Sequence, residues 1–263
     1  MPDHFTPAQH VKPFIYETAT SKNLHFCISD IQSCMRISDP NALALEYTRT
    51  MMGFLLFKPE PRSIGMIGLG GGSLAKFCYR YLSRARIQVA EINPQVIALR
   101  EEFHIPPDDA RFIVLQADGA DFVHHGTGRF DVLMLDGYIL EGLPPQLGSQ
   151  RFYDGCHASL RPDGIMVVNL QYGDPDTDAH LARIRHSFND AVLVVEDGEE
   201  SHSIVFACKG NALEKFPLGA IRRPPDLDPA ATHQLLAGFA LIASVLKPGW
   251  LASTTSSLTY LDV

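Results

Sequence analysis

The chain has 263 residues, 46% hydrophobic and 20% charged, and its 22 basic against 30 acidic side chains leave a formal net charge of -8. That length and apolar share support one large α/β domain with a full core and no need of disulfide or metal staples, and they exclude disorder as the default state. The acidic balance and the lack of any Lys or Arg run exclude a non-specific nucleic-acid binder, whose phosphate contacts need a basic face.

In chain order, the N-terminal stretch MPDHFTPAQHVKPF mixes polar and proline residues and has no apolar core of the signal-peptide kind. Leu24 to Ile28 and Ile31 to Ile37 read as a small hairpin, and Asn41 to Phe57 as a helix capped by Asp39 or Asn41. From residue 62 short apolar runs alternate with helical segments. Arg62 to Ile67, Arg86 to Ile92, Phe112 to Gln116, Phe130 to Leu135 and Ile165 to Leu170 each read as a strand buried on both faces, as parallel sheets require.

Helices are expected between them. Ser73 to Leu82 follows the first strand directly, and Asn93-Pro94 supplies an N-cap and an N1 proline for Gln95 to Phe103. Arg151 to Leu160 is stopped by the turn Pro162-Asp163-Gly164, and Asp178 to Phe188 precedes the apolar run Ala191 to Val195. Ser203 to Cys208 follows after an acidic turn too short for a helix, so the last two strands form an antiparallel edge hairpin. Right-handed β-α-β crossovers assemble this grammar into a doubly wound, seven-stranded, mostly parallel sheet.

Beyond residue 210, Arg222-Arg223-Pro224-Pro225 reads as a linker before a helix, Pro229 to Leu246, and a polar tail. The expected division is an N-terminal region over 1–60, a cofactor-binding domain over 61–210 and a C-terminal region over 211–263. The longest apolar stretch, Leu235 to Leu246, is broken by Gly238 and Ser244 and is shorter than the roughly 20 residues needed to cross a bilayer. No export, no membrane partner and a cytoplasmic location are therefore expected. Five cysteines without a CxxC pair fit reduced, buried thiols. The histidines, His124-His125 included, show no metal-ligand spacing, so no metal is expected.

Strand Ile64 to Ile67 runs into Gly68-Leu69-Gly70-Gly71-Gly72-Ser73 and then a helix. Glycines let a backbone turn tightly and approach a ligand, and the helix N-terminus offers free N–H groups. A dinucleotide site would want glycine where Ser73 stands. A P-loop would need Gly-Lys-Ser or Gly-Lys-Thr, which is absent. The third reading is the adenosine end of a sulfonium cofactor, with an acidic residue at the next strand end for both ribose hydroxyls. Glu91 stands there, and Asp118-Gly119 follows the third strand, where a carboxylate can accept from the adenine amino group. Gly71-Gly72-Ser73-Leu74-Ala75 also loosely copies a hydrolase nucleophile elbow, with His180, His186, His202 and His233 downstream. Asp136, ending the strand Asp131 to Leu135, can hold an amine and accept its proton as nitrogen attacks carbon beside the sulfonium.

These segments in order, from Ile28 to Cys208, resemble the spermidine synthases and their relatives. Ile31-Gln32 followed by Asp39 is similar to the family's cofactor-contacting segment. Gly68, Gly70, Gly71 and Gly72 stand in its glycine loop, and Val89-Ala90-Glu91-Ile92 is similar to its ribose strand. Asp118-Gly119 matches its adenine-side pair, and Asp136 falls on the first Asp of its catalytic segment. The run Leu143-Pro144-Pro145-Gln146-Leu147 through Phe152-Tyr153 continues the match.

The resemblance implies a methyltransferase-type fold and a transferase that moves an aminopropyl group from decarboxylated S-adenosylmethionine to an amine. It also allows a homodimer. Three family positions differ: the loop Asp facing the aminopropyl end is Gly71, a second Asp of the catalytic segment is Ile139, and a substrate-side Tyr of the early helix aligns near Leu43. Tyr138 and Glu141 are the candidate substitute contacts. With the loop Asp gone, a methyltransferase using S-adenosylmethionine stands as the alternative, followed by a non-catalytic cofactor-binding protein and the serine hydrolase.

Overall fold

The computed structural model describes residues 10–28, 31–138, 142–171, 176–196, 202–214, 224 and 227–246. Its centre is a seven-stranded sheet of β4 (Ser63–Ile67), β5 (Arg86–Glu91), β6 (Phe112–Gln116), β7 (Phe130–Leu135), β8 (Leu160–Gln171), β9 (Val192–Glu196) and β10 (His202–Lys209). They lie in the order β6-β5-β4-β7-β8-β10-β9. The strands β4 to β8 pair in parallel, while β10 pairs antiparallel with both β8 and β9. The doubly wound sheet with its edge hairpin is thus the one expected.

The period-2 pattern of the strands builds two cores, one on each face. On β7, where all six residues are buried, Val132 and Met134 enter one core and Leu133 and Leu135 the other. The first core also takes α2 (Ser73–Tyr81), α3 (Pro94–Ile97) and the C-terminal helix. The second takes α4 (Gly119–His124), α5 (Gln150–Ser159) and α6 (Thr177–Ser187).

Three boundaries differ from the sequence expectation. The helix expected over Asn41 to Phe57 is α1 (Glu46–Met51) followed by a 3-10 turn, Met52–Leu56. Neither Asp39 nor Asn41 caps it; Leu45 is the N-cap, with no side-chain bond. Residues 43 and 44 stay out of the helix because other groups take their backbone. Leu43 N donates to Gln234 Oε1, and the Arg49 guanidinium donates to the carbonyls of Leu43 and Ala44.

The helix expected over Gln95 to Phe103 keeps its Asn93 cap and Pro94 but ends at Ile97. Beyond it, Leu99 and Arg100 make bonds to residues three back rather than four. The Pro162-Asp163-Gly164 turn is absorbed as an irregularity within β8. Asp163 takes a positive φ, and the pairing with β7 slips between Leu160 and Ile165.

The N-terminal region is a three-stranded antiparallel sheet rather than a hairpin. A first strand, β1 (Phe14–Glu17), pairs with β2 (Ser21–His25), which pairs with β3 (Ile31–Arg36). The helix α7 (Pro229–Val245), capped by Asp228, packs across α1. At Gly238 the approach is so close that a Cβ would lie 3.1 Å from the Arg49 carbonyl oxygen and from Thr50 Cα. Cys78, Cys156 and Cys208 are buried thiols as expected, whereas Cys27 and Cys34 are half-buried. Among the described residues no helix is long and apolar enough to cross a membrane, and no His, Cys, Asp and Glu cluster could hold a metal.

One core residue is anomalous. Lys76 on α2 is fully buried, and its ammonium donates to the Phe103 carbonyl at 2.8 Å, with burial lowering its pKa from 10.5 to about 8. Between those values the folded chain holds fewer protons than the unfolded one, so Lys76 makes stability rise with pH. As pH is raised through 8 towards 10.5, wild type should gain on Lys76→Met by up to about 3 kcal/mol, read as the difference between their denaturation curves.

Candidate active site

The strand order reverses between β4 and β7, and at such a point the loops leaving adjacent carboxyl ends diverge and open a crevice. Here the crevice is a cavity of about 880 Å³. That volume accommodates an adenosyl ligand with a second small molecule beside it. Gln32 of β3, Gly68, Gly70, Glu91, Asp118, Gly119, Asp136 and Tyr138 all line it. Glu141 and Ile139 lie outside the described residues.

Gly68 lets the loop begin there. Its φ is +92°, and a Cβ would collide with the Asp136 carbonyl oxygen and lie 2.8 Å from its carbonyl carbon. The loop is then held from below by Glu91. One carboxylate oxygen accepts from Leu69 N and the other from Asn93 N, both at 2.8 Å. Burial pushes the Glu91 pKa up, against these backbone donors and that of Gly70. A carboxylate has about four acceptor sites, so Glu91 retains capacity for hydroxyls on the cavity side. Asp118 caps α4 through Ala120 N at 2.7 Å, and its other oxygen accepts from Gln146 Nε2 at 3.4 Å.

Gly71 and Gly72 stand apart from the other loop glycines: they turn away from the cavity wall. A Cβ on Gly71 would lie 2.7 Å from Ser33 Oγ and 2.9 Å from Phe103 Cδ1, and one on Gly72 would lie 2.5 Å from Ile105. The Ser33 and Ser73 hydroxyls, 3.4 Å apart, sit at this end of the loop. It therefore has no carboxylate at position 71, and the packing leaves no room to insert one. Ser73 is the first residue of α2 and does not cap it; Gly72 is the N-cap. Its hydroxyl partners are Ser33 and the Cys34 carbonyl, with no histidine bonded to it among the described residues, so no triad forms.

Asp136 sits at the end of β7 with both carboxylate oxygens engaged. Tyr47 Oη donates to Oδ2 at 3.1 Å, and Asn169 Nδ2 donates to Oδ1 at 2.9 Å. Burial raises the Asp136 pKa; the bonds from Asn169 and Tyr47, and the nearby His202 ring, oppose the rise. Burial and the neighbouring Asp136 also raise the Tyr47 pKa, so the phenol remains a donor. His202 Nδ1 lies 3.0 Å from Asn169 Oδ1, and its ring stacks on Tyr47 with centroids 4.6 Å apart.

Tyr47 and Asn169 escaped the sequence reading, and His202 entered it only as one of four histidines in the hydrolase alternative. Tyr47 lies four residues from Leu43, where the early-helix tyrosine seemed absent. Its position on the first turn of α1, aimed at the sheet, was the signal that the over-long helix expectation concealed.

A chain with alanine at position 71 should be destabilised by the Ser33 and Phe103 contacts. Gly71→Ala is expected to lower the melting temperature by several degrees, with partial recovery in the Ser33→Gly, Gly71→Ala double variant, measured by thermal denaturation.

Residues 44–200 match the model of the spermine/spermidine synthase domain. The polyamine aminopropyltransferase of Chromobacterium violaceum is 36% identical over 194 residues, which cover 73% of this chain and 74% of that protein. The eEF1A lysine and N-terminal methyltransferase of Xenopus laevis is 28% identical over 195 residues, covering 68% of this chain and 28% of that much longer protein. A crystal structure of a probable spermidine synthase from Corynebacterium glutamicum matches with a TM-score of 0.66 at 17% identity, covering 89% of this chain and 90% of that one. The glycine loop against Asp136, the carboxylates at successive strand ends and the domain match together make this chain a member of the spermine/spermidine synthase family.

Proposed function

We propose that the protein transfers an aminopropyl group from decarboxylated S-adenosylmethionine to a small amine, with Asp136 as the proton acceptor. The observation that carries this reading is the Asp136 carboxylate, held by Tyr47 and Asn169 on the wall of a cavity that also contains Glu91, Asp118 and the glycine loop. Glu91 would take the ribose hydroxyls, Asp118 the adenine amino group, and the Gly68 and Gly70 backbone the region between. Gln32 would contact the donor from β3, and Tyr138 the acceptor.

An amine in water is cationic and has no free lone pair. Asp136 takes one proton, and the nitrogen lone pair attacks the methylene carbon beside the sulfonium. The carbon–sulfur bond breaks, and its electron pair leaves with a neutral thioether. Tyr47 and Asn169 do not move in this step: they keep the carboxylate oriented, and fixed geometry supplies much of the acceleration. Asp136 can accept while both oxygens are already engaged, because each has a second lone pair.

A second reading is favoured by one observation. With Gly71 packed on Ser33, the end of the loop where relatives of this family place an acid is neutral and lined by hydroxyls. Such an end suits the carboxylate of intact S-adenosylmethionine as well as it suits a free amine, and the protein would then transfer a methyl group.

Calorimetry with the two donors separates the readings: tighter binding of the decarboxylated donor supports aminopropyl transfer, and tighter binding of intact S-adenosylmethionine replaces it with methyl transfer. Asp136→Asn should cut kcat by a factor on the order of 10² to 10⁴ while keeping donor affinity. The sign of the pH dependence follows from the raised Asp136 pKa: the base form is lost as pH falls. The acid limb of kcat/KM should therefore lie above the ordinary aspartate value of about 3.9 and disappear in Asp136→Asn.

A further inference from the structure

The Asn169 amide has the same outline whichever way it is turned, so packing alone does not orient it. Asp136 decides one end: its carboxylate oxygen at 2.9 Å requires the NH2 group. The amide oxygen is then left facing His202 Nδ1 at 3.0 Å, and two bare lone pairs at that distance repel. A proton on Nδ1 resolves this.

The strands make the meeting possible. β8 and β10 are antiparallel, with Ile204 opposite Asn169 and His202 opposite Gln171, so Asn169 and His202 are diagonal neighbours on one face of the sheet. The same imidazole lies against the Tyr47 ring at 4.6 Å and 28°. His202 therefore touches both groups that donate to Asp136.

We propose that His202, protonated at Nδ1, and Asn169 are positioning residues that orient Asp136 for proton acceptance, closing a ring of four side chains through Tyr47. The proposal rests on the reading of Asp136 as the base. His202 acts at one remove: its Nδ1–H holds the Asn169 oxygen, which turns the amide donors to Asp136, and its face holds the Tyr47 ring, which aims the phenol at the other carboxylate oxygen. Without Nδ1–H the amide is anchored at one end only, by the Asp136 carboxylate it is meant to hold, and is free to rock about that bond. The carboxylate would then swing away from the line of attack.

Two measurements test this. Long-range proton–nitrogen correlation spectra, recorded at a pH where the ring is neutral and assigned by the signal missing from His202→Asn, should show His202 as the Nδ1–H tautomer. The Nε2–H tautomer would overturn the proposal irrespective of any activity. Steady-state kinetics on His202→Phe, which keeps a ring against Tyr47 but loses the donor, should show kcat lowered about 100-fold with the donor KM unchanged. His202→Asn, whose side-chain N–H superposes on Nδ1–H, should recover most of it. Wild-type kcat in His202→Phe, or equal losses in the two variants, would also overturn the proposal.

Asp136→Asn, assayed alongside, keeps the two ideas apart. Turnover surviving in Asp136→Asn removes the base assignment itself and the positioning role with it, while an inactive Asp136→Asn with a normal His202→Phe removes the positioning role alone. Should His202→Phe fail to fold, the wild-type tautomer decides.

Discussion

A carboxylate delivered by a fully buried strand has to be given hydrogen-bond donors or lose its charge. Asp136 follows six buried residues of β7, with the Gly68 loop pressed against its own carbonyl, so water reaches it from the cavity side alone. Its donors come from elsewhere in the chain. Tyr47 arrives from α1, 89 residues earlier, and Asn169 from β8, 33 residues later. Much of the remaining architecture can be understood as what keeps those two donors in place.

The C-terminal helix has its reason here. α7 grips the segment before α1 through Gln234 and packs its Gly238 onto the backbone of Arg49 and Thr50. α1 is under two turns long, too short to hold a direction by itself, and Tyr47 sits on its first turn. Packing against α7 supplies the rigidity that local hydrogen bonds cannot. The helix over Pro229–Val245 thus bears on the site without lining it, by fixing the helix that carries the phenol.

Glu91 shows the opposite use of a buried carboxylate. It faces its own backbone, bonding Leu69 and Asn93, and so fixes the glycine loop to the end of β5 before any ligand is considered. Asp118 divides its oxygens between a helix cap and Gln146. The three acids share one cavity but differ in what they hold: a loop, a helix and a pair of side-chain donors. Gly71 belongs to this pattern by its neutrality. Ser33 and Phe103 occupy the space a side chain there would need, so the end of the loop was shaped around hydroxyls rather than a fourth acid.

The apolar runs and their turn residues determined the seven strands, the edge hairpin and the strand ends at which Gly68, Glu91, Asp118 and Asp136 stand. That much is local: period-2 burial marks a strand, and a strand's last residue is known once the strand is. Helix ends were less legible. Asn41 to Ala44 have a helical pattern, but Gln234 and Arg49 claim the backbone groups that a helix would have used. The partners of Asp136 were not legible at all. A tyrosine on a short helix, an asparagine inside an apolar strand and a histidine at the start of the strand next to the sheet edge carry no shared motif. Their convergence depends on sheet order and on the diagonal register of β8 and β10. Sequence decided where the acids stand, because strand ends are set by near neighbours, and tertiary structure alone decided which side chains hold Asp136, because those bonds join residues 89 and 33 positions apart.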